Sequence, residues 1–332
     1  MSIIISWSTL NVGYIHLKAI FVAFMKVYQS ILEFSSVPFA VVTIGTFDGV
    51  HAGHQKIISR LTELSKSNKG ETVVLTFFPH PRMVLQPDDN ELKMITTMDE
   101  KIELLRNAGI DHLIIQSFSK EFSRISATEF VRDILVNRIG TRILVIGHDH
   151  HFGRNREGNY KNLEEWAPVY GFQLEEIDEQ DVNDVAVSST KIRNALQEGD
   201  VQMANTLLGH DFSLTGKVVN GEQLGRSLGF PTANIQVTEN YKLIPADGIY
   251  AVLVRVDMEI FKGMLYIGNR PSLNGTKRSI EVNIFDFDRM IYDKIISIFF
   301  KARIRGDQHF ENLTLLTDKM KEDKLNATKI LS

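Results

Sequence analysis

Two domains of different architecture are predicted by this sequence: a parallel α/β domain, then an antiparallel β-barrel that closes with a helix. Three observations carry the prediction. Up to about residue 209, short apolar runs alternate with capped amphipathic stretches. Beyond it, strand-like runs follow one another with only turns between them. The C-terminal stretch then returns to a helical period.

The elements follow in order. "FAVVTIG", "ETVVLTFF", "DHLIIQ" and "RILVIG" are β-branched, apolar runs of strand length, the pattern of strands buried on both faces. Between them, "TMDEKIELLRNAG" opens on a capping box from Thr97 to Glu100 and stops at Gly109, and "SATEFVRDILVNRIG" repeats the device with Ser126, Glu129 and Gly140. In a parallel sheet of this kind the loops after the strands are the default ligand positions. "STKIRNALQEGDVQMANTLLG" reads as two short helices. "FSLTGKVVNG", "GIYAVLVRVDM", "IFKGMLYIG", "SIEVNIFDFD" and "IISIFFKARI" are then the strands of a small barrel. In the closing helix, Leu313, Leu316, Met320 and Leu325 are predicted to form the buried face.

The expected domains are residues 25–208 and 209–332, with residues 1–24 an upstream extension. That extension is apolar in patches, but Asn11, His16 and Lys18 interrupt it, and neither a positive n-region nor a small-residue cleavage pattern accompanies it. A signal peptide or spanning helix is therefore not expected, and Met25 is the expected initiator.

Composition narrows the function classes. With 332 residues, 43% hydrophobic and 23% charged, the chain is globular and long enough for two cores. A net charge of -4 offers no basic field for nucleic acid or a membrane surface, so small molecules are the expected partners. The absence of cysteine excludes disulfides, thiolate zinc sites and cysteine nucleophiles, and fits a cytoplasmic protein. Oligomeric state is left open.

Five stretches carry chemistry. In "GTFDGVHAGH", Gly45, Thr46 and Gly49 follow a buried strand, and His51, Gly53 and His54 stand where the next helix begins. Small residues let the backbone approach a ligand, and a helix N-terminus offers free N–H groups and partial positive charge, so this is a phosphate-binding turn. Two histidines with no third ligand make a weaker metal site. "GHDHHFGRNREG" places His148, Asp149, His150 and His151 after another strand, read as a loop that folds over the first site; for His150 and His151 a solvated position stands beside that reading. "VSSTKIR" is first an N-cap, and with Arg193 one turn in, the same helix end is able to receive a polyphosphate. In "PTAN", Thr232 and Asn234 are two apart, so extended backbone points both side chains one way, toward a common Mg²⁺. Glu281 in "SIEVNIFDFD" is either an exposed carboxylate or a general base, and spacing alone leaves both open.

Taken in order, "GTFDGVHAGH", "LTFFPHPRMVL", "GHDHHFGRNREG", "VSSTKIRNAL", "GRSLGFPTAN" and "IEVNIFDF" resemble the bacterial bifunctional riboflavin kinase/FAD synthetase family, from about Lys26 to the C-terminal helix. The resemblance implies a nucleotidyltransferase-like, Rossmann-like N-terminal domain of the H-x-G-H type that joins FMN to the AMP part of ATP. It also implies a six-stranded flavokinase barrel that phosphorylates riboflavin from ATP. Mapped residue by residue, it makes Glu281 the kinase base, Thr232 and Asn234 the Mg²⁺ contacts, and the segment with Gly216 and Gly225 a flap over ATP. In the other half it assigns nucleotide contacts to Gly45, Phe47, Gly49, His51, His54, Ser188, Ser189 and Arg193, and flavin contacts to Asp149 and Phe152. His51 and His54 would act on the departing pyrophosphate. Two departures stand out: His150 and His151 replace the family's usual Phe and Arg, and Asn283 stands where a histidine is common. A chain active in one half only, or a flavin-binding regulator without turnover, are the alternatives. Retention of polar residues at both sites speaks against each.

Overall fold

The computed structural model describes residues 25–86, 92–147, 150–177, 181–182, 185–221, 225, 228–272 and 275–332. Its first part is a six-stranded sheet of order β1-β4-β3-β2-β5-β6, every described pair parallel. The strands are β1 (Lys26–Tyr28), β2 (Ala40–Ile44), β3 (Glu71–Phe78), β4 (His112–Ser117), β5 (Thr141–Gly147) and β6 (Gln173–Ile177). β2 and the middle of β3 are buried throughout, the signature of a sheet covered on both faces. One cover comprises α1 (Ala52–Ser67) and α3 (Met98–Asn107), whose Leu61 and Leu105 are fully buried. The other comprises α4 (Ala127–Glu129, continuing over Phe130–Ile139) and α5 (Tyr160–Tyr170). A single-turn α2 (Pro81–Leu85) follows β3.

The capping boxes at Thr97–Glu100 and Ser126–Glu129 both form, and Gly140 ends α4 in the left-handed region at φ 76°. Two strands of this sheet escaped the sequence reading. β1 is only three residues long, and β6 carries Glu175 and Glu176 on a half-exposed edge, so neither shows the doubly buried pattern. Residues 1–24, with the expected extension, lie outside the described residues, as do His148 and Asp149.

After a two-residue hairpin, β7 (Asp181–Val182) and β8 (Val185–Ala186), come α6 (Ser189–Glu198) and α7 (Val201–Leu208). A closed barrel then forms in the order β10-β13-β12-β11-β14-β9. Its strands are β9 (Ser213–Val219), β10 (Ala233–Gln236), β11 (Gly248–Val256), β12 (Glu259–Ser272), β13 (Gly275–Ile284) and β14 (Ile295–Gly306), all antiparallel. Closure leaves no unpaired edge.

Packing does not follow the change of sequence rhythm at 209. Ile192, Leu196, Leu207 and Leu208 of α6 and α7 bury into the same core as Phe212, Leu214, Tyr250 and Val252 of the barrel. The chain therefore enters the barrel's packing unit at α6.

The closing helix α8 (Leu313–Ile330) corrects one expectation. Leu313 and Leu325 are 57% and 64% exposed; Met320 packs inward as expected, joined by Asp323, Ala327 and Leu331. Asp323 is buried because Arg305 of β14 meets its carboxylate with three contacts of 2.7–3.1 Å, a charged fork that apolar periodicity does not reveal.

Candidate active sites

The strand order reverses at β2: the chain leaves it for β3 and β4 on one side and returns to β5 on the other. Open parallel sheets bind ligands in the crevice at such a point, and the loop from Gly45 to His54 lies there. Phe47 (φ 47°, ψ 36°), Gly49 (φ 81°) and Val50 (φ 41°) are left-handed, interleaved with Asp48. This backbone turns sharply, with the Val50 amide donating to the Phe47 carbonyl at 3.2 Å. For Phe47 and Val50 it costs roughly 1–3 kcal/mol each, so the surroundings must hold it.

They do so through a buried carboxylate. Asp48, 1% exposed, accepts from the Ile95 and Thr96 amides at 3.1 Å, from the Thr96 hydroxyl at 3.3 Å and from Arg193 Nη2 at 2.7 Å. The Gly49 amide donates to Thr96 Oγ1 at 3.2 Å, Ser189 Oγ donates to the Asp48 carbonyl at 3.2 Å, and Lys101 Nζ donates to the Thr46 carbonyl at 2.7 Å. Ser188 caps α6, so the N-termini of α1 and α6 meet on one loop. Arg193 thus reaches the loop through Asp48, while its Nε donates to the Lys93 carbonyl.

His51 caps α1 by accepting the His54 amide on Nδ1 at 3.4 Å. The two imidazoles stack at 3.6 Å, and Phe47 lies 4.9 Å from His54. Gly53 permits this, since a Cβ there would sit 3.3 Å from the His51 ring. Burial, then the neighbouring His51 and Lys101, holds His54 well below the usual imidazole range, so its ring is neutral at pH 7. Its Nδ1 is buried without a hydrogen-bond partner among the described residues. Nearby, burial pushes His80 down to about 4 and Lys101 down to about 8. One carboxylate, two cations and three imidazoles make a cation-rich cradle, in which a bound polyphosphate would raise the imidazoles' proton affinity.

The flavin-side assignments are less direct. Asp149 lies outside the described residues. Phe152 is 7% exposed, against Phe130 at 5.8 Å, and a Cβ on Gly158 would meet its ring at 2.7 Å. It anchors the loop in the core, so any role toward flavin passes through that loop.

The barrel site is built on strands. β10 lies between β9 and β13, with Asn234 opposite Glu281. Thr232 Oγ1 donates to Glu281 Oε2 at 3.1 Å. Glu281 is 4% exposed, which removes the outer-face reading. A Cβ on Gly221 would fall 2.0 Å from Asn234 Nδ2, and one on Gly225 would fall 3.2 Å from Thr232 Oγ1 and 2.4 Å from the Phe230 carbonyl. Backbone therefore lies directly on both polar side chains, which only glycine allows. Gly216 differs: its Cβ would meet Ile235 Cγ2 at 2.6 Å, so close approach of β9 and β10 accounts for it. Asn283 donates from Nδ2 to the Pro231 carbonyl at 2.7 Å and so holds the "PTAN" segment in place. Hydroxyl, amide and carboxylate oxygens are hard donors that fit Mg²⁺.

Asp48, Thr96, Lys101, His80 and Gly221 escaped the sequence reading. Asp48, His80, Lys101 and Gly221 stand within the stretches named above and Thr96 does not, but the contacts of all five cross distances in sequence that no local pattern encodes.

A left-handed loop at the switch point and a closed barrel carrying a buried carboxylate give the chain two candidate sites, one in each half. Family models agree: one described as FAD synthetase matches residues 35–191, and one described as riboflavin kinase matches 208–331. Among similar proteins, a bifunctional riboflavin kinase/FMN adenylyltransferase of Buchnera aphidicola (from Acyrthosiphon pisum) is 35% identical over 87% of this chain and 93% of its own. One of Escherichia coli K12 is 33% identical over 91% and 97%. A solved structure described as a macrolide-efflux protein from Streptococcus pneumoniae superposes with a TM-score of 0.83 at 28% identity, over 92% of this chain and 98% of that one. No described helix here is long and apolar enough to cross a membrane. The chain belongs to the bifunctional riboflavin kinase/FMN adenylyltransferase family.

Proposed function

We propose that the family's two reactions run at these two separate sites, with phosphoryl transfer at Thr232, Asn234 and Glu281 and adenylyl transfer at the Gly45–His54 loop. The chain is a riboflavin kinase and FMN adenylyltransferase: ATP and riboflavin give FMN and ADP in the C-terminal part, then ATP and FMN give FAD and pyrophosphate in the N-terminal part. The observation that carries the residue assignment is the buried Glu281 carboxylate bonded to Thr232 and opposite Asn234.

In the kinase, Glu281 takes the proton of the ribityl 5'-hydroxyl as its oxygen attacks the γ-phosphorus and ADP departs. Thr232 and Asn234 would hold Mg²⁺, which when bound neutralises phosphate charge. Gly216 and Gly225 belong to the segment proposed to cover ATP. In the adenylyltransferase, an FMN phosphate oxygen attacks the α-phosphorus of ATP, and the bond to pyrophosphate breaks without an enzyme-bound intermediate. His51 and His54 donate to the departing phosphates, the backbone at Gly45, Phe47 and Gly49 lines the nucleotide, and Ser188, Ser189 and Arg193 present the N-terminus of α6. Asp149, with Phe152 behind it, is assigned to the flavin side. We place the sequence limits of the two domains at 25–208 and 209–332, with α6 and α7 of the first packing into the barrel core, and the protein in the cytoplasm, with neither nucleic acid nor membrane as partner.

Incubation with riboflavin, ATP and Mg²⁺, followed by separation of products, tests the reading. FMN should appear first and FAD after it, and chelation of the metal should stop FMN formation. Formation of neither flavin product contradicts it.

A further inference from the structure

The left-handed loop is held from two sides, and one side comes from the barrel's packing unit. Ser189 and Arg193 belong to α6, which buries in the barrel core. Gln55 of α1 donates from Nε2 to the Val50 carbonyl at 3.0 Å and to the Leu208 carbonyl at 2.9 Å, tying the loop to the end of α7. Just beyond, His210 brings Nε2 to 2.9 Å from the Gly49 carbonyl and Nδ1 to 3.0 Å from the Asp211 carbonyl. His210 lies within the stretch matched by the riboflavin kinase model, yet it touches the loop of the other active site.

We propose that His210 is a positioning residue for adenylyl transfer, supplied by the kinase half and acting through the Gly49 carbonyl. The Gly49–Val50 peptide joins two left-handed residues, and His51 follows at once. Rotation of that peptide would move the point from which His51 leaves the backbone, and with it the stack on His54. Thr96 fixes the Gly49 amide, Gln55 fixes the Val50 carbonyl, and His210 fixes the carbonyl between them. This inference rests on the assignment of His51 and His54 to adenylyl transfer. An anchoring bond at this peptide matters because small displacements of groups that meet the transition state cost rate more than binding.

The test uses the full chain and follows both products. His210→Ala should lower kcat for FAD formation from supplied FMN by roughly 10- to 100-fold, with KM for ATP little changed, and leave FMN formation from riboflavin as in wild type. His210→Gln keeps one N–H donor toward Gly49 and should restore most of the rate. Glu103→Gln is the control, because the Glu103–Arg255 pair, at 2.6 and 3.0 Å, joins the same two halves away from the loop. It should leave FAD formation unchanged. The proposal is overturned if His210→Ala makes FAD at the wild-type rate. It is also overturned if Glu103→Gln slows FAD formation as much, or if Gln restores nothing. Direct assay of His54→Ala on supplied FMN separates the two readings: if that variant is fully active, the assignment beneath the proposal fails first.

Discussion

The two candidate sites, both proposed to hold phosphates, are built by different means. In the barrel, Asn234 and Glu281 sit opposite each other on paired strands, Thr232 just before β10 bonds to Glu281, and glycine backbone closes over them. In the α/β part, the phosphate loop is strained, and its shape depends on Asp48, Thr96, Lys101, Arg193 and His210, drawn from across the chain. A strand-built site is preorganised by its own ladder. A loop-built site borrows its rigidity from whatever packs behind it.

The largest expected effect tests the barrel side of that contrast. Glu281→Gln keeps the shape of the side chain and a hydrogen-bond acceptor for Thr232, but removes the base. FMN formation should fall by roughly 10²- to 10⁴-fold while FAD formation from supplied FMN persists, as a coupled or single-substrate assay will show.

The borrowed rigidity has its own weak point. Lys242, with no side-chain exposure, donates to Glu100 Oε2 and to the Ile95 carbonyl at 2.6 Å and to the Ser213 carbonyl at 2.7 Å. Glu100 also closes the capping box of α3 and accepts the Thr215 amide at 3.0 Å. Every proton of the ammonium has an acceptor, so the pair is well satisfied, and Lys242→Met would strand Glu100 in the core. Denaturant unfolding should show a loss of about 3–5 kcal/mol. FAD formation should be more sensitive to that loss than FMN formation, because Ile95 and Thr96 hold Asp48.

A smaller effect follows from the neutral imidazoles. His80, pushed down to about 4, binds fewer protons folded than unfolded below pH 6.5. Its contribution to stability is complete above the unfolded value and is lost as pH falls toward 4. By pH 5, His80→Gln should recover about 2 kcal/mol of the wild-type decline, read from unfolding curves at a series of pH values. His54, lowered for the same main reason, acts in the same direction.

The same contrast explains what was legible in the sequence. The four central strands, both capping boxes and the barrel strands other than β10 follow from local period and cap chemistry, and the spacing of Thr232 and Asn234 follows from strand alternation. Glu281 needed the structure to turn it inward. At the loop, the glycines and histidines were visible, but the residues that shape it were not. Asp48 meets Arg193 across 145 positions of sequence and Gly49 meets His210 across 161, and neither pairing leaves a periodic trace. In α8 a buried Asp323 held by Arg305 overrode the apolar pattern.

Central to the proposed function is that the two reactions run at separate sites on one chain. The direct measurement mixes two impaired variants, each supplied with riboflavin, ATP and Mg²⁺: His54→Ala, which should stop at FMN, and Glu281→Gln, which should make FMN only at its strongly reduced rate. Alone, neither should produce FAD at an appreciable rate; together in one solution they should, after a lag in which FMN accumulates. If the mixture makes no FAD while both variants remain folded, or if either variant alone lacks both activities, the two-site account is contradicted.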